Sequence, residues 1–492
     1  MTLEAEIMAP AMLLETVPAN KLPLANKVGY GFGQLIEITV GSMLNMFALY
    51  YTTAVCGLPG GLAGFALGAG LVIDAVADPL IGSLSDSWKS TLGRRVPFMV
   101  AALFPLLLSF NLLFALPSNV GVTGLFALVM ALSITLRVSI SIFGLPYQAL
   151  GVDLSDDYAE RSSMAAWRWG IGIMGTFAVI GLGYGVFLSG PNGLMHRSGY
   201  LSLTLALSVI ILVGAAISIR TGLQTRHLHR HNLPTTEGLY RRLLGEVREL
   251  FGNPTFRLLF GSIVLLQISQ GINQALVMHI SLYFWRLDTV QLQACSLAAV
   301  MGLVVAAPFA GPILARAEKR TVLVAGLCGM AFFNAVPIIL RLLNMLPEAM
   351  STVATIIAVA SFLSGLSFAL STIAFIAVVP DAVDEHEQLY GTRREGLFLS
   401  GWSFASKAAT GMGLLVGGMV LQVLNFPAQD PGKSIVAMAV PTHTLNWLAI
   451  SGGPGSGILA VLSIALICRY RIDKKAHANI IECLVSRRGE QP

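Results

Sequence analysis

The residues best placed to do chemistry are two carboxylates in an apolar run, Asp74 and Asp78 in Ile73-Asp74-Ala75-Val76-Ala77-Asp78-Pro79. On a helix, a spacing of four puts both on one face, about one turn apart. Anions that close repel one another, and burial strips each of its hydration. Such a pair persists when a cation, a shared proton or a basic side chain compensates it. Oxygen ligands suit Na+, and protonatable carboxylates suit H+. The plainer alternative is a structural ion pair with an arginine near the helix end.

Lys407 lies deep in a second apolar run, Ser403-Phe404-Ala405-Ser406-Lys407. Its ammonium is far from either interface, so a carboxylate inside the bundle is its expected partner. Arg137 is similarly isolated; snorkelling, a helix–helix pair and a solute contact all fit it. Arg168, between Trp167 and Trp169, suits an anionic or hydroxyl-rich solute, or an interfacial position. Uncharged polar residues form stripes: Gln267, Gln270 and Gln274 with Asn273 beside them, Gln34, Glu37 and Asn45, and Ser361, Ser364 and Ser371. Any one of these fits an interhelical hydrogen bond worth about 1 kcal/mol or less. Stripes on the first helices of both halves fit a water-filled cavity better, and a polar solute would bind there. Gln34, Glu37, Gln148, Arg168, Gln270, Asn273, Gln274 and Trp402 are the candidate solute-binding residues.

These groups sit in a chain of 492 residues that is 55% hydrophobic and 12% charged, with mean hydropathy +0.74. Soluble domains carry about 25% charge, so this composition points to lipid surroundings. The net charge of +5 fits basic cytoplasmic loops better than a nucleic-acid surface. Cys56, Cys295, Cys328, Cys468 and Cys483 lack metal-ligand spacing and read as small apolar residues. No His-Glu-x-x-His or repeated acidic metal motif supports an intramembrane enzyme, and no cofactor is expected beyond a coupling ion. The first 26 residues carry Glu4, Glu6 and Glu15 and do not read as a cleaved leader.

Runs long enough to cross a bilayer of about 30 Å predict twelve spans, near 30–55, 61–84, 97–117, 121–150, 163–189, 198–220, 255–286, 291–314, 320–345, 351–379, 396–424 and 449–470. Residues 1–27 form a tail, 28–220 a six-helix bundle, 221–254 a linker, 255–470 a second six-helix bundle and 471–492 a second tail. In the linker, Leu239, Leu243, Leu244, Val247 and Leu250 recur at helical spacing, which predicts an amphipathic surface helix. His227, His229 and His231 precede it in a solvated stretch, with a metal site as the rival reading. Basic residues follow span two, fill the linker and load the final tail. Both termini are therefore expected in the cytoplasm of a multi-pass inner (plasma) membrane protein. Residues 425–448 form a longer external connection. The loop Gly82-x-Leu84-x-Asp86 with Gly93-Arg94-Arg95 is echoed by Gly311 and Lys319-Arg320, as expected of two related halves around a midplane site. The expectation is an all-α integral membrane fold of two pseudo-symmetric bundles.

At these residues the chain resembles the glycoside-pentoside-hexuronide:cation symporters, the melibiose-permease branch of the major facilitator superfamily. The matching pieces are Lys27 to Gly33, Asp74 to Pro79, Gly82 to Arg95, Leu145-Pro146-Tyr147-Gln148-Ala149-Leu150 with Glu160-Arg161 and Arg168, Asp381-Ala382-Val383-Asp384, Gly391 to Gly396, and Lys407. The resemblance implies that Asp74 and Asp78 hold the coupling Na+ or H+, with Lys407 as their charge partner. It implies that Arg168 contacts solute and that Asp86, Gly93, Arg94 and Arg95 belong to a cytoplasmic gate. The family's sugar-binding aspartates correspond here to Ile38 and Gly144, and its stacking tryptophan to Gln148. These departures argue against a melibiose-like disaccharide, and the expectation is symport of a small polar solute (a sugar, glycoside or uronate) by a protein that works as a monomer, with no nucleic-acid partner. Uniport, export and carriage of lysolipid-like amphiphiles are the alternatives on the same fold.

Overall fold

A computed structural model describes residues 22–88, 90–155, 157–190, 192–225, 250–392, 395–426, 440–470 and 472–489. Every regular element among them is helical. The first crossing is broken: α1 (Leu24–Gly31) and α2 (Gln34–Met43) are separated at Phe32-Gly33, and π-helical turns at Leu44–Ala48 and Tyr51–Val55 carry the chain onward. Gly33 stands where any Cβ would collide with the Tyr147 ring and Ser218, so the break lets the first crossing approach its neighbours.

Eleven further crossings are long and apolar enough to span a membrane. They are α3 (Gly60–Ser87), α4 (Val96–Leu113), α5 (Val122–Asp153), α6 (Tyr158–Leu182, prolonged to Phe187), α7 (Arg197–Gln224), α8 (Pro254–His279, prolonged to Phe284), α9 (Thr289–Arg316), α10 (Lys319–Leu342), α11 (Met350–Tyr390), α12 (Glu395–Val423), and α13 (Thr442–Ile450) continued by α14 (Ser456–Ile467). Helix α11 runs well past the expected end of its span at 379, and the last crossing starts at Thr442 rather than near 449. The expected final tail holds a helix, α15 (Lys474–Gly489), whose Ile480 and Leu484 are buried in the core of the second half. The amphipathic linker helix and His227, His229 and His231 lie outside the described residues, as do residues 427–439 of the external connection.

Each half repeats one packing scheme: α3 and α4 lie against α5, as α9 and α10 lie against α11. The halves meet along α3 and α12. Gly64 faces the Leu414 carbonyl, and Gly68 and Gly411 face each other's carbonyl oxygens, so the backbones touch with no side chain between them. At that end one hydrophobic core draws Phe47, Tyr50 and Tyr51 together with Leu276, Tyr283 and Leu421. At the opposite end the second core, built around Leu323, Phe375 and Phe398, uses the second half alone. The shared core seals the bundles at one end, whereas at the end that carries Arg94, Arg95 and Lys319 the second half's core is its own.

Candidate cation and solute sites

Helices α3 and α5 face each other in matched turns. On α3 the positions are Gly70, Asp74 and Asp78; on α5 they are Ser133, Arg137 and Ser141, both at a spacing of four. A Cβ at Gly70 would strike Ser133. The electrostatic partner of Arg137 is Asp74. The Ser141 hydroxyl lies 2.5 Å from Asp74 Oδ1 and 2.7 Å from Asp78 Oδ1. From the other half, Lys407 on α12 places Nζ 2.9 Å from Asp74 Oδ2 and 2.6 Å from Asp78 Oδ2. Asp74 is almost fully buried, at 4% exposure.

A lone hydroxyl carries one proton. Ser141 can therefore satisfy both carboxylates together only when one of them brings a proton, and otherwise donates to one at a time. Four carboxylate oxygens, one hydroxyl and an ammonium thus converge from three helices and both halves. Ser141 had no signal in the sequence: a serine in an apolar helix is ordinary. Arg137, left open between three roles, feels the charge of Asp74 across the helices without a hydrogen bond or close ion pair to it among the described residues.

The expected solute residues do not form one cluster. Gln34 is buried and donates to Glu37 at 3.1 Å. Beside them Tyr30 stacks on Tyr147 with ring centroids 4.8 Å apart, and Arg168 faces the Tyr30 hydroxyl. The Nε of Arg168 and Oε1 of Gln34 are buried without hydrogen-bond partners among the described residues. Gln148, next in sequence to Tyr147, is exposed. Gln274 and Asn45 instead line a small enclosed pocket with Arg137, Ser133 and Thr410 between the halves. Asn273 donates to the Gly452 carbonyl and lines a cavity of about 220 Å³ with Asn334 and Ser361. Gln270 contacts the Met330 sulfur, and Trp402 packs edge-on against Phe375 at 4.2 Å.

The expected gate residues sit at the end away from the shared core. Asp153 at the end of α5 accepts two hydrogen bonds from Arg94 at 3.1 Å and one from Arg95 at 2.7 Å, and Arg95 also reaches Asp86 at 3.3 Å. Gly93 has φ +87°, a left-handed conformation that turns the chain into α4. The second half repeats the device: Lys319 at the start of α10 binds Asp381 on α11 at 2.7 and 2.8 Å, and His477 of α15 lies 3.1 Å from Asp384. All these bonds lie within their own half. Lys27 pairs with Glu160 at 2.8 Å in the same manner.

The model of the MFS/sugar transport protein family matches residues 29–474. The chain belongs to this family. It is a transport protein rather than an enzyme, and the membrane is its setting. An uncharacterized symporter of Synechocystis sp. is 24% identical, covering 96% of this chain and 98% of that one. A glucuronide carrier protein homolog of Escherichia coli is also 24% identical, over 84% of this chain and 87% of its own. Among solved structures, the nucleoside transporter NupG shares the fold with a TM-score of 0.56 at 15% identity, over 91% of this chain and 100% of that chain.

Proposed function

We propose that this transporter is a cation-coupled symporter for a small polar solute of the sugar, glycoside or uronate type, working by alternating access. Asp74 and Asp78 hold the coupling Na+ or H+, and Lys407 is the residue that the cation displaces. The observation that carries this reading is the pair of contacts from Lys407, on one half, to both carboxylates on the other. A cation arriving between Asp74, Asp78 and Ser141 competes with the ammonium, and so loosens the charged link between the halves. Cation binding is thereby tied to their relative motion. The names of two relatives, a symporter and a glucuronide carrier homolog, point the same way. The solute would lie between the two halves, with the end bearing Arg94, Arg95 and Lys319 facing the cytoplasm.

The test is uptake of radiolabelled solutes into proteoliposomes under an imposed Na+ or H+ gradient, for wild type and Asp74→Asn. Gradient-driven accumulation that the variant loses supports symport. Downhill flux alone, identical in both proteins, would replace it with uniport.

A further inference from the structure

We propose that Arg137 couples the cation site to the cargo, and that the cargo is an anion whose acidic group this guanidinium binds. The inference rests on the symport reading above and adds the charge of the solute and the residue that reads it.

With both carboxylates ionised, the charges of Asp74, Asp78, Lys407 and Arg137 cancel. Lys407 is committed at 2.9 and 2.6 Å to the two aspartates. Arg137 is the loose member. It has no hydrogen bond or close ion pair among the described residues, its Nε is buried without a partner, and Asp74 acts on it through charge alone. A guanidinium has five donors in a fixed fork, and leaving them unsatisfied away from water is costly. Arg137 lines the small pocket between the halves, where Asn45 and Gln274 add amide groups and Thr410 and Ser133 add hydroxyls. A planar acidic group takes a guanidinium by two parallel bonds. The surrounding amides and hydroxyls suit the oxygens of a hydroxylated carbon skeleton. With a volume of about 20 Å³ the pocket takes no more than water in this state. The solute would enter when the halves part along α3 and α12.

Charge balance supplies the coupling. An anion bound to Arg137 withdraws its positive charge from Asp74 and leaves the aspartates one charge short. A proton on the carboxylates or an Na+ between them restores neutrality. Each ligand therefore strengthens the other, as reciprocity of binding requires, and the pair crosses with no net charge.

The experiment is thermal unfolding and direct binding of the full chain in detergent. The probes are a panel of matched acids and neutral partners (D-glucuronate with D-glucose, D-galacturonate with D-galactose, D-glycerate with glycerol), at several Na+ concentrations and pH values. Wild type should bind an acid at least tenfold tighter than its partner, and more tightly as the cation rises. Arg137→Gln should lose that discrimination while keeping its unfolding transition, and Arg137→Lys should regain part of it. A preference for neutral partners, no binding of any acid, or an acid preference that survives Arg137→Gln and disappears in Arg168→Gln would each overturn the proposal. Acid binding indifferent to Na+ and pH would instead overturn the symport reading, leaving Arg137 as an anion site in a uniporter.

Discussion

Lys407 and Asp78 lie on different halves of the molecule, yet their charged groups approach to 2.6 Å. Breaking a buried pair strands a charge, at about 3–5 kcal/mol. The ammonium side chain keeps 29% exposure, so Lys407→Met should cost nearer about 3 kcal/mol. Adding Asp78→Asn should recover most of that loss, because it removes the stranded charge. Thermal unfolding of the single and double variants checks this, and additive losses would mean that the two residues act independently.

Ser141 touches both carboxylates and needs only its hydroxyl to do so. Ser141→Ala should weaken cation binding about tenfold, the scale of a hydrogen bond to a charged group, with little change in unfolding temperature. Ser141→Thr should retain binding. Cation titration by tryptophan fluorescence separates them, and equal affinities for all three proteins would remove Ser141 from the site.

The contact between Gly64 on α3 and α12 leaves a Cβ only 2.7 Å from the Leu414 carbonyl and 3.0 Å from Gly418 Cα. Gly64→Leu should therefore wedge the sealed end open, at about 1–3 kcal/mol of overpacking, and stop transport without stopping membrane insertion. Thr53, buried at that end and 3.1 Å from His279, reports the change. As Thr53→Cys in a cysteine-free background, it should react with a membrane-impermeant thiol reagent only when Gly64→Leu is also present. Unchanged protection with full transport would show that the glycine contact is dispensable.

Asp153 serves the buried Arg95 and the largely covered Arg94, whereas Asp381 serves Lys319, whose side chain is 35% exposed. Water screens the second pair more. Asp153→Asn should lower the unfolding temperature by several degrees and Asp381→Asn by less, in differential scanning fluorimetry. The reverse order would show that burial does not rank these two devices.

Much of the architecture is legible in the chain because hydrocarbon imposes a local rule. A backbone crossing a bilayer must satisfy its own hydrogen bonds, so each helix is announced by a long apolar run whatever its neighbours. The first crossing is the instructive exception: its break at Phe32-Gly33 answers to Tyr147 and Ser218, which are remote in sequence. The same locality exposes Asp74, Asp78 and Lys407, since a charge inside an apolar run is conspicuous before any partner is known.

Partners are a different matter, because which turn faces which depends on how helices distant in sequence pack. The contacts of Ser141 and the placing of Arg137 within the field of Asp74 follow from the register of α5 against α3. The separation of Gln34, Glu37 and Arg168 from Gln274 and Asn273 follows from how α2 and α8 are rotated in their bundles. Helical periodicity shows which residues share a face, and every polar stripe looked alike at that level. Apolar patterning by itself determined the helices and the anomalous charges within them. Only the tertiary structure decided which of those charges meet, because burial makes an unpaired charge costly and packing alone supplies its partner.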